Sequence, residues 1–318
     1  MRNLTLDYLK IVLAACVVGI HANFLHDVNP NISHFLTSYL FRLAVPLFFM
    51  INGFYFLRIL IQPQKFLAWF LRILGLYLIW MALYWPFYKF SLHKPIDYGL
   101  TFLIGFYHLW YVIATLCCGL IFMILRKLPD KGMIALLVLC FVTGLSLQYL
   151  GAYHVFHGTK LDSTLNYFPV YRNALSFGLP FFGSGVFIAK FNLSAKIKTK
   201  SVYMAMAFGF ALMVCEYGLH QLSHQNQGFD ILLSLPFAAM PLFIWAMQSK
   251  AIFSSAIPNE LSSLIYFMHP IWLKYLGIWG VKSESLIVPV AIGACLIAAV
   301  VLIPINRLLG KYLKFGFI

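Results

Sequence analysis

Two ionisable residues, Lys10 and His21, lie inside the first apolar run of the chain. Their spacing of eleven residues makes about three helical turns, so one helix face carries both, roughly 16 Å apart along the axis. An ionisable group inside a membrane is costly unless it faces protein or water, which makes an intramembrane histidine a functional-site candidate. A neutral imidazole can act as a general base, and a lysine can meet an anionic group.

Arg42 places a permanent positive charge within the second apolar run. A guanidinium stays charged at any relevant pH, so Arg42 needs an anionic partner, carbonyl oxygens or water. Glu216 is one candidate partner, in a structural ion pair. We favour a polar cavity in which Arg42 meets a substrate's negative or developing charge, with Pro46 freeing backbone carbonyls beside it.

Two further histidines stand in apolar surroundings. His108 lies among aromatic residues that include Trp110 and Tyr111, a pattern also typical of an aromatic belt at the membrane interface. His269 falls near the middle of a late apolar run. A single buried histidine is often only hydrogen-bonded to its neighbours, but three together with Arg42 favour a functional cluster.

The composition defines the class of protein that positions these residues. Of 318 residues 62% are hydrophobic and only 10% are charged, and the mean hydropathy is +0.86. Soluble domains carry roughly a quarter charged residues, so the chain is predicted to be an all-α polytopic membrane protein. We expect one integral-membrane domain over residues 1–318, with a first segment that is retained rather than cleaved.

The apolar runs predict ten transmembrane helices, each near the length that crosses a bilayer. Their approximate ranges are 5–25, 35–57, 69–90, 99–125, 133–151, 173–191, 201–220, 230–248, 261–280 and 285–305. With both termini in the cytoplasm, 16 Lys and Arg fall inside and six outside, as the positive-inside rule requires. The net charge of +14 therefore reflects topology, and we expect no nucleic-acid partner.

Several other features favour ordinary structural roles. The six cysteines show no CxxC spacing and are interpreted as small buried hydrophobic residues. The segment 178–185 supplies glycines for close helix packing and a proline kink. Two predicted outer stretches, 151–172 and 220–230, are polar and rich in histidine. They suit a hydroxylated substrate, although plain solvated loops are favoured.

The presence or absence of known catalytic motifs limits the reaction types that the chain could catalyse. Neither a His-x₃-His nor a Glu-x-x-His pair occurs in the predicted spans, so we expect no metal. A Gly-x-Ser-x-Gly elbow is also missing, which leaves a serine hydrolase unsupported. A histidine base without a protein nucleophile suits direct transfer, in which the base deprotonates a hydroxyl that attacks an activated acyl group.

Four segments, in order along the chain, resemble motifs of the membrane-bound acyltransferase 3 family of bacterial sugar O-acyltransferases. The matching residues are Asp7, Leu9, Lys10 and His21, then Arg42, Pro46, Leu47, Phe48, Phe49, Ile51 and Gly53, then residues 108–111, and finally Ile265, Tyr266 and His269. The chain departs from the family pattern at Lys10, where the family has arginine, at Asn52, usually serine, and at Trp69, where a second arginine often precedes the one matched by Arg72.

The resemblance implies an O-acyltransferase of the bacterial inner membrane that takes an acyl group, most often acetyl, from acetyl-CoA on the cytoplasmic side. The implied acceptor is a sugar hydroxyl of a surface polysaccharide or its lipid-linked precursor. His21 is expected to be the general base and Arg42 to stabilise the acyl carbonyl or donor, while Lys10 and Arg72 bind donor phosphates. The cavity is expected to be lined by His108, Trp110, Tyr111 and His269.

Two alternatives remain open. In a transporter or flippase of a glycan or lipid-linked intermediate, the same residues would bind the substrate. Paired broken helices in the two halves of the chain would favour that function. A sensor or accessory subunit is the third class. Membrane lipids are expected partners in every case.

Overall fold

The computed structural model describes residues 2–89, 94–223, 228–249, 251–253 and 257–313, and most of them are helical. The helices are α1 (Leu4–His21), α2 (Pro30–Ser38), α3 (Ala44–Ile61), α4 (Phe66–Tyr88), α5 (Pro95–Ile104), α6 (Trp110–Ile124), α7 (Asp130–Ala152), α8 (Lys160–Leu165), α9 (Leu179–Lys190), α10 (Leu193–Lys196), α11 (Thr199–Leu222), α12 (Leu235–Gln248), α13 (Ile257–Ile278) and α14 (Glu284–Leu313). The described residues divide into two compact units, one made of those within 2–48 and 193–313 and the other of those within 49–192.

The first unit joins the two ends of the sequence. Within it α1 packs on α13, α13 on α14, and α11 on α12. A two-residue strand, β1 (Arg2–Asn3), pairs antiparallel with β2 (Ile252–Phe253) just before α1 begins. The Asn3 side chain then accepts a hydrogen bond of 3.0 Å from the Leu6 amide, satisfying one of the free N–H groups of the first turn.

The second unit is contiguous in sequence and depends on close backbone contacts. A Cβ atom on Gly185 of α9 would lie 2.0 Å from the Met50 carbonyl oxygen of α3, and one on Gly53 would lie 1.8 Å from that of Phe182. No side chain fits at either position. The prediction that the 178–185 segment supplies close packing is therefore confirmed for Gly185.

The predicted proline kink in that segment stays a prediction. Pro180 occupies the first turn of α9. The irregularity lies just before it, in a π-helical turn over Ala174–Gly178. The Asn173 side chain caps this turn by accepting hydrogen bonds from the Leu175 and Ser176 amides, each 2.9 Å long.

Seven stretches of the described chain are long and apolar enough to cross a membrane, and two shorter apolar helices accompany them. The class of multi-pass helical membrane protein is thus confirmed, whereas the count of ten and the cytoplasmic termini stay predictions. Two expected helices are broken. The one over 35–57 contains a 3-10 turn at Leu40–Leu43, and the one over 99–125 stops at Gly105, whose φ of 87° no helix accommodates.

The six cysteines are free thiols, as expected. Their predicted burial holds fully only for Cys118 and Cys295. Cys215 is exposed on α11, and the other three are partly buried. An apolar run in a membrane protein turns some of its residues toward lipid, so the outward position of Cys215 fits a spanning helix.

Candidate active site

His21 ends α1 and meets a second imidazole there. Its ring stacks on that of His269, with centroids 5.3 Å apart and planes inclined by 21°. Both residues were expected at the site, and the structure brings them together within the first unit. His269 is fully buried, whereas His21 is partly accessible at the end of its helix.

The orientation of His269 follows from the proline after it. Pro270 has no N–H, so the Tyr266 carbonyl, four residues earlier, lacks its usual helical donor. The His269 Nδ1 atom lies 2.7 Å from that carbonyl oxygen and 3.2 Å from the Ile265 carbonyl oxygen. Because both partners only accept, we assign the ring proton to Nδ1, which leaves Nε2 as the unprotonated nitrogen of the neutral ring.

Lys10 also reaches α13, three turns before His21. Its Nζ donates to the Asp7 Oδ1 atom at 2.9 Å and to the Asn259 Oδ1 atom at 2.8 Å. The Asp7 and Lys10 side chains are only 8% and 12% exposed. Since Lys10 meets Asn259 and His21 meets His269, α1 and α13 run parallel. The predicted shared face of Lys10 and His21 is therefore the face that packs on α13.

Arg42 lies in the 3-10 turn before α3 and forms an ion pair with Asp230, in the irregular segment before α12. Its Nε also donates to the Thr37 carbonyl oxygen at 3.1 Å. Glu216, the partner considered from the sequence, instead accepts from the backbone amides of Leu233 and Ser234, at 2.7 and 2.9 Å. The pairing of Arg42 with Glu216 is therefore wrong.

A second buried histidine of the first unit, His220, contacts Phe229, the residue before Asp230. His220 was expected in an outer polar stretch, but it is only 3% exposed, with Nδ1 2.8 Å from the Tyr39 hydroxyl. Its ring stacks on Phe229 at 4.2 Å. Residues 224–227 of that stretch lie outside the described residues, as do Lys250 and Lys314 of the charge count.

The second unit holds the remaining expected residues. His108 is 2% exposed and lies edge-on to Tyr84 at 5.3 Å, in a 3-10 turn that leads into α6. This burial argues against a simple interface belt. The Arg172 guanidinium lies over the Trp110 ring, 5.5 Å from its centroid. Arg172 was not singled out from the sequence, although Trp faces commonly bind such cations.

The departures from the family motif each have a structural counterpart. The Asn52 amide donates to the Tyr111 hydroxyl, so the second and third motifs are joined by a side-chain hydrogen bond. Trp69 packs against Phe56, with ring centroids 4.7 Å apart. Arg72 is exposed on α4. Lys10 and Arg72, both expected at the donor phosphates, belong to different units.

A helical membrane chain with a stacked imidazole pair, an arginine in an ion pair with an aspartate and these ordered motifs has the features of a membrane acyltransferase. The family model described as "Acyltransferase domain" matches residues 3–305. The chain therefore belongs to the acyltransferase 3 family, as the motifs indicated.

Two curated relatives carry a different name. An "Amino-acid racemase" of Enterococcus faecalis is 25% identical over 84% of this chain. A "Serine/alanine racemase" of Enterococcus gallinarum is 24% identical over 85% of it. The chain spans only 40% and 41% of their lengths. No solved structure matches the chain significantly.

Proposed function

We propose that this acyltransferase is an O-acetyltransferase of the bacterial inner membrane. It moves an acetyl group from acetyl-CoA to a sugar hydroxyl of a surface polysaccharide or its lipid-linked precursor. The observation that carries the proposal is the stacked pair of His21 and His269, where the end of α1 meets α13.

In this proposal His21 is the general base. Protonating both stacked rings at once would place two positive charges about 5 Å apart, which is unfavourable. The pair therefore favours at least one neutral ring. His269 is held by the two backbone carbonyls, so His21, at the partly open end of α1, is the member that can reach an acceptor.

The reaction balances without a protein nucleophile. His21 takes the proton of the acceptor hydroxyl as its oxygen attacks the thioester carbonyl, giving a tetrahedral oxyanion. The C–S bond then breaks, the CoA thiolate leaves, and the imidazolium returns the proton to the sulfur. Arg42 is the proposed electrostatic stabiliser of the oxyanion. Its ion pair with Asp230 holds the guanidinium in place, while the carboxylate offsets part of the positive potential that the guanidinium offers an oxyanion.

Donor binding is assigned to Lys10 and Arg72. Arg72 is exposed on α4, and its guanidinium can grip a phosphate with two parallel hydrogen bonds. Lys10 pairs with the Asp7 carboxylate and also donates a hydrogen bond to Asn259. We therefore expect Arg72 to contribute more to donor affinity than Lys10. His108, Trp110 and Tyr111 are the proposed acceptor contacts of the second unit.

The names of the two relatives supply a second acceptor class. Serine carries a hydroxyl that the same chemistry could acetylate, whereas alanine does not. Serine is accordingly tested beside glycan acceptors, and alanine is its matched control. A transporter or flippase remains the rival function.

The deciding experiment incubates membranes containing the protein with labelled acetyl-CoA and compares the wild type with His21→Ala. Label on endogenous glycan in the wild type, lost in the variant, supports the proposal. Label on serine but not on glycan moves the acceptor to amino acids. Equal label in both proteins would remove the role of His21. Wild-type membranes that incorporate no label but move a glycan or lipid-linked intermediate across vesicles would overturn the acyltransfer proposal.

A further inference from the structure

A second cluster of chemically capable side chains lies in the loop that follows α7. It consists of His154, His157 and Asp162, and the atoms that could bind a metal all lie within 4.8 Å of one another. We propose that this triad binds a divalent transition-metal ion, Zn²⁺ being the best match. The site is separate from the proposed acyltransfer chemistry and does not depend on it.

The loop is built to hold the three side chains together. The His154 amide donates to the Gly151 carbonyl oxygen at 2.9 Å, and the His157 amide to that of His154 at 3.0 Å. His154 has a φ of 48°, a left-handed conformation that is uncommon outside glycine. The two successive turns fold the chain so that residues three apart present both imidazoles to the same side as Asp162.

Asp162 is fixed by the short helix on which it lies. The Thr159 hydroxyl caps α8 by accepting from the Asp162 amide at 3.3 Å. The Asn166 side-chain amide donates to the carbonyl oxygens of Gly151 and Asp162, each at 3.0 Å. These bonds tie the end of α7 to α8 and hold the carboxylate facing the loop.

The donor set suits Zn²⁺. Two imidazoles and one carboxylate form the ligand set of many three-ligand zinc sites, with water in the fourth position. The His154 Nδ1 atom already lies 2.9 Å from the Asp162 Oδ2 atom. The other oxygen, Oδ1, is buried and has no hydrogen-bond partner within the described part of the chain. A buried carboxylate oxygen without a donor is a polar group that a cation would satisfy.

The geometry needs only a small adjustment. Zinc bonds of 2.0–2.2 Å in a tetrahedron separate the ligand atoms by roughly 3.4 Å. Ligand atoms up to 4.8 Å apart must therefore close by about 1.4 Å, whereas His154 Nδ1 and Asp162 Oδ2, at 2.9 Å, must separate by about 0.5 Å. Rotation of the two histidine side chains can supply this, since both residues are exposed.

The sequence expectation of no metal depended on spacing within the predicted spans, and this triad lies in a loop. A solvated ion pair between His154 and Asp162 would explain two of the three residues, and such pairs contribute little to stability. It would give no role to His157. Participation of His157 therefore distinguishes a metal site from an ion pair.

The test uses the full chain in detergent, with any affinity tag removed and bound metal stripped by a chelator. Zn²⁺ is titrated calorimetrically, with Co²⁺ absorption as a second readout. We expect one site of micromolar or better affinity. His157→Gln, an exposed side chain whose loss leaves the ion pair intact, should weaken binding about 10-fold or more. His26→Gln is the matched control, because His26 is an exposed histidine 4.0 Å from Glu284 and should bind as the wild type does.

Limited proteolysis gives an independent readout, since Lys160, the first residue of α8, lies between His157 and Asp162 in the sequence. Zn²⁺ should slow tryptic cleavage after Lys160 in the wild type but not in the triple variant H154Q/H157Q/D162N. Equal Zn²⁺ uptake by the wild type and the triple variant would overturn the site. So would wild-type protein that takes up no Zn²⁺ at micromolar concentration, or His157→Gln binding with unchanged affinity.

Discussion

The imidazoles of His21 and His269 stack face to face, although the two residues lie near opposite ends of the sequence. The His21 ring belongs to the last residue of α1. The other lies inside α13 and is oriented by the Ile265 carbonyl and by the Tyr266 carbonyl, which Pro270 leaves without a backbone donor. The pair links a helix end, where a substrate can approach, to a ring held rigidly in the core.

The two histidines are expected to contribute unequally to activity. Loss of a general base costs about 100- to 10,000-fold in rate, so His21→Ala should lower the acetyl-transfer rate by that range. His269→Asn should lower kcat about 10-fold and leave the donor KM unchanged, because His269 acts through His21. His26→Gln should keep wild-type activity. A larger loss in His269→Asn than in His21→Ala would reverse the assigned roles.

Variants of the Arg42–Asp230 ion pair can distinguish a structural role of Arg42 from a catalytic one. Arg42→Met leaves a carboxylate that is only 12% exposed without its cation, so the melting temperature in detergent should fall. The double variant R42M/D230N removes both charges and should recover much of that loss. If Arg42 stabilises the oxyanion, activity stays low in the double variant. Recovered activity would make Arg42 purely structural.

Lys10 is predicted to stabilise the α1–α13 contact. Lys10→Met leaves the buried Asp7 carboxylate without its cation and should lower the free energy of unfolding by about 3–5 kcal/mol. D7N/K10M should lose clearly less than the single variant. Chemical unfolding of the purified protein in detergent measures the difference. A single variant as stable as the wild type would show that the pair contributes nothing.

Close packing in the second unit predicts a sharp contrast between two glycines. Gly185→Ala drives a methyl group into the Met50 carbonyl and should cost about 1–3 kcal/mol or more. Gly218→Ala on α11 meets nothing within 4 Å and should be neutral or stabilising by up to about 1 kcal/mol. Expression yield and melting temperature measure the effect of each substitution on stability. Equal effects would contradict the close approach of α3 and α9.

Asp27 gives the first unit a pH dependence. Hydrogen bonds, chiefly from the Ser283 hydroxyl, lower the pKa of Asp27 below its usual 3.8. Its contribution to stability is therefore present above that value and lost as the pH falls through the lowered pKa. We expect Asp27→Asn to reduce the melting temperature near neutral pH and to match the wild type in strong acid. A difference that persists in acid would assign the effect to packing.

The sequence predicted much of this architecture because apolar length and charge asymmetry are local signals. All ten predicted segments contain helix, and the motif histidines His21 and His269 meet. The signal in His269-Pro270 was present in the sequence: a proline frees a carbonyl that the preceding histidine can bond. That reading needs only helix geometry.

The partner of Arg42 could not be predicted, because ion pairs between distant segments depend on the tertiary fold. Asp230 lies in an expected helix that begins only at Leu235. The broken helix at Gly105 was missed for another reason. A glycine inside an apolar run is tolerated in helices, and only the positive φ shows that the chain turns there.

The parallel contact of α1 and α13 has a consequence for how the chain is made. Ribosomes add about 5–20 residues per second, so tens of seconds pass between the synthesis of α1 and that of α13, the helix against which it packs. During that interval the second unit, being contiguous, can complete its own contacts. Asp7, three residues before Lys10 on the same helix, neutralises the lysine from the start. The first helix thus carries its own counter-charge into the membrane, long before Asn259 and His269 have been synthesised.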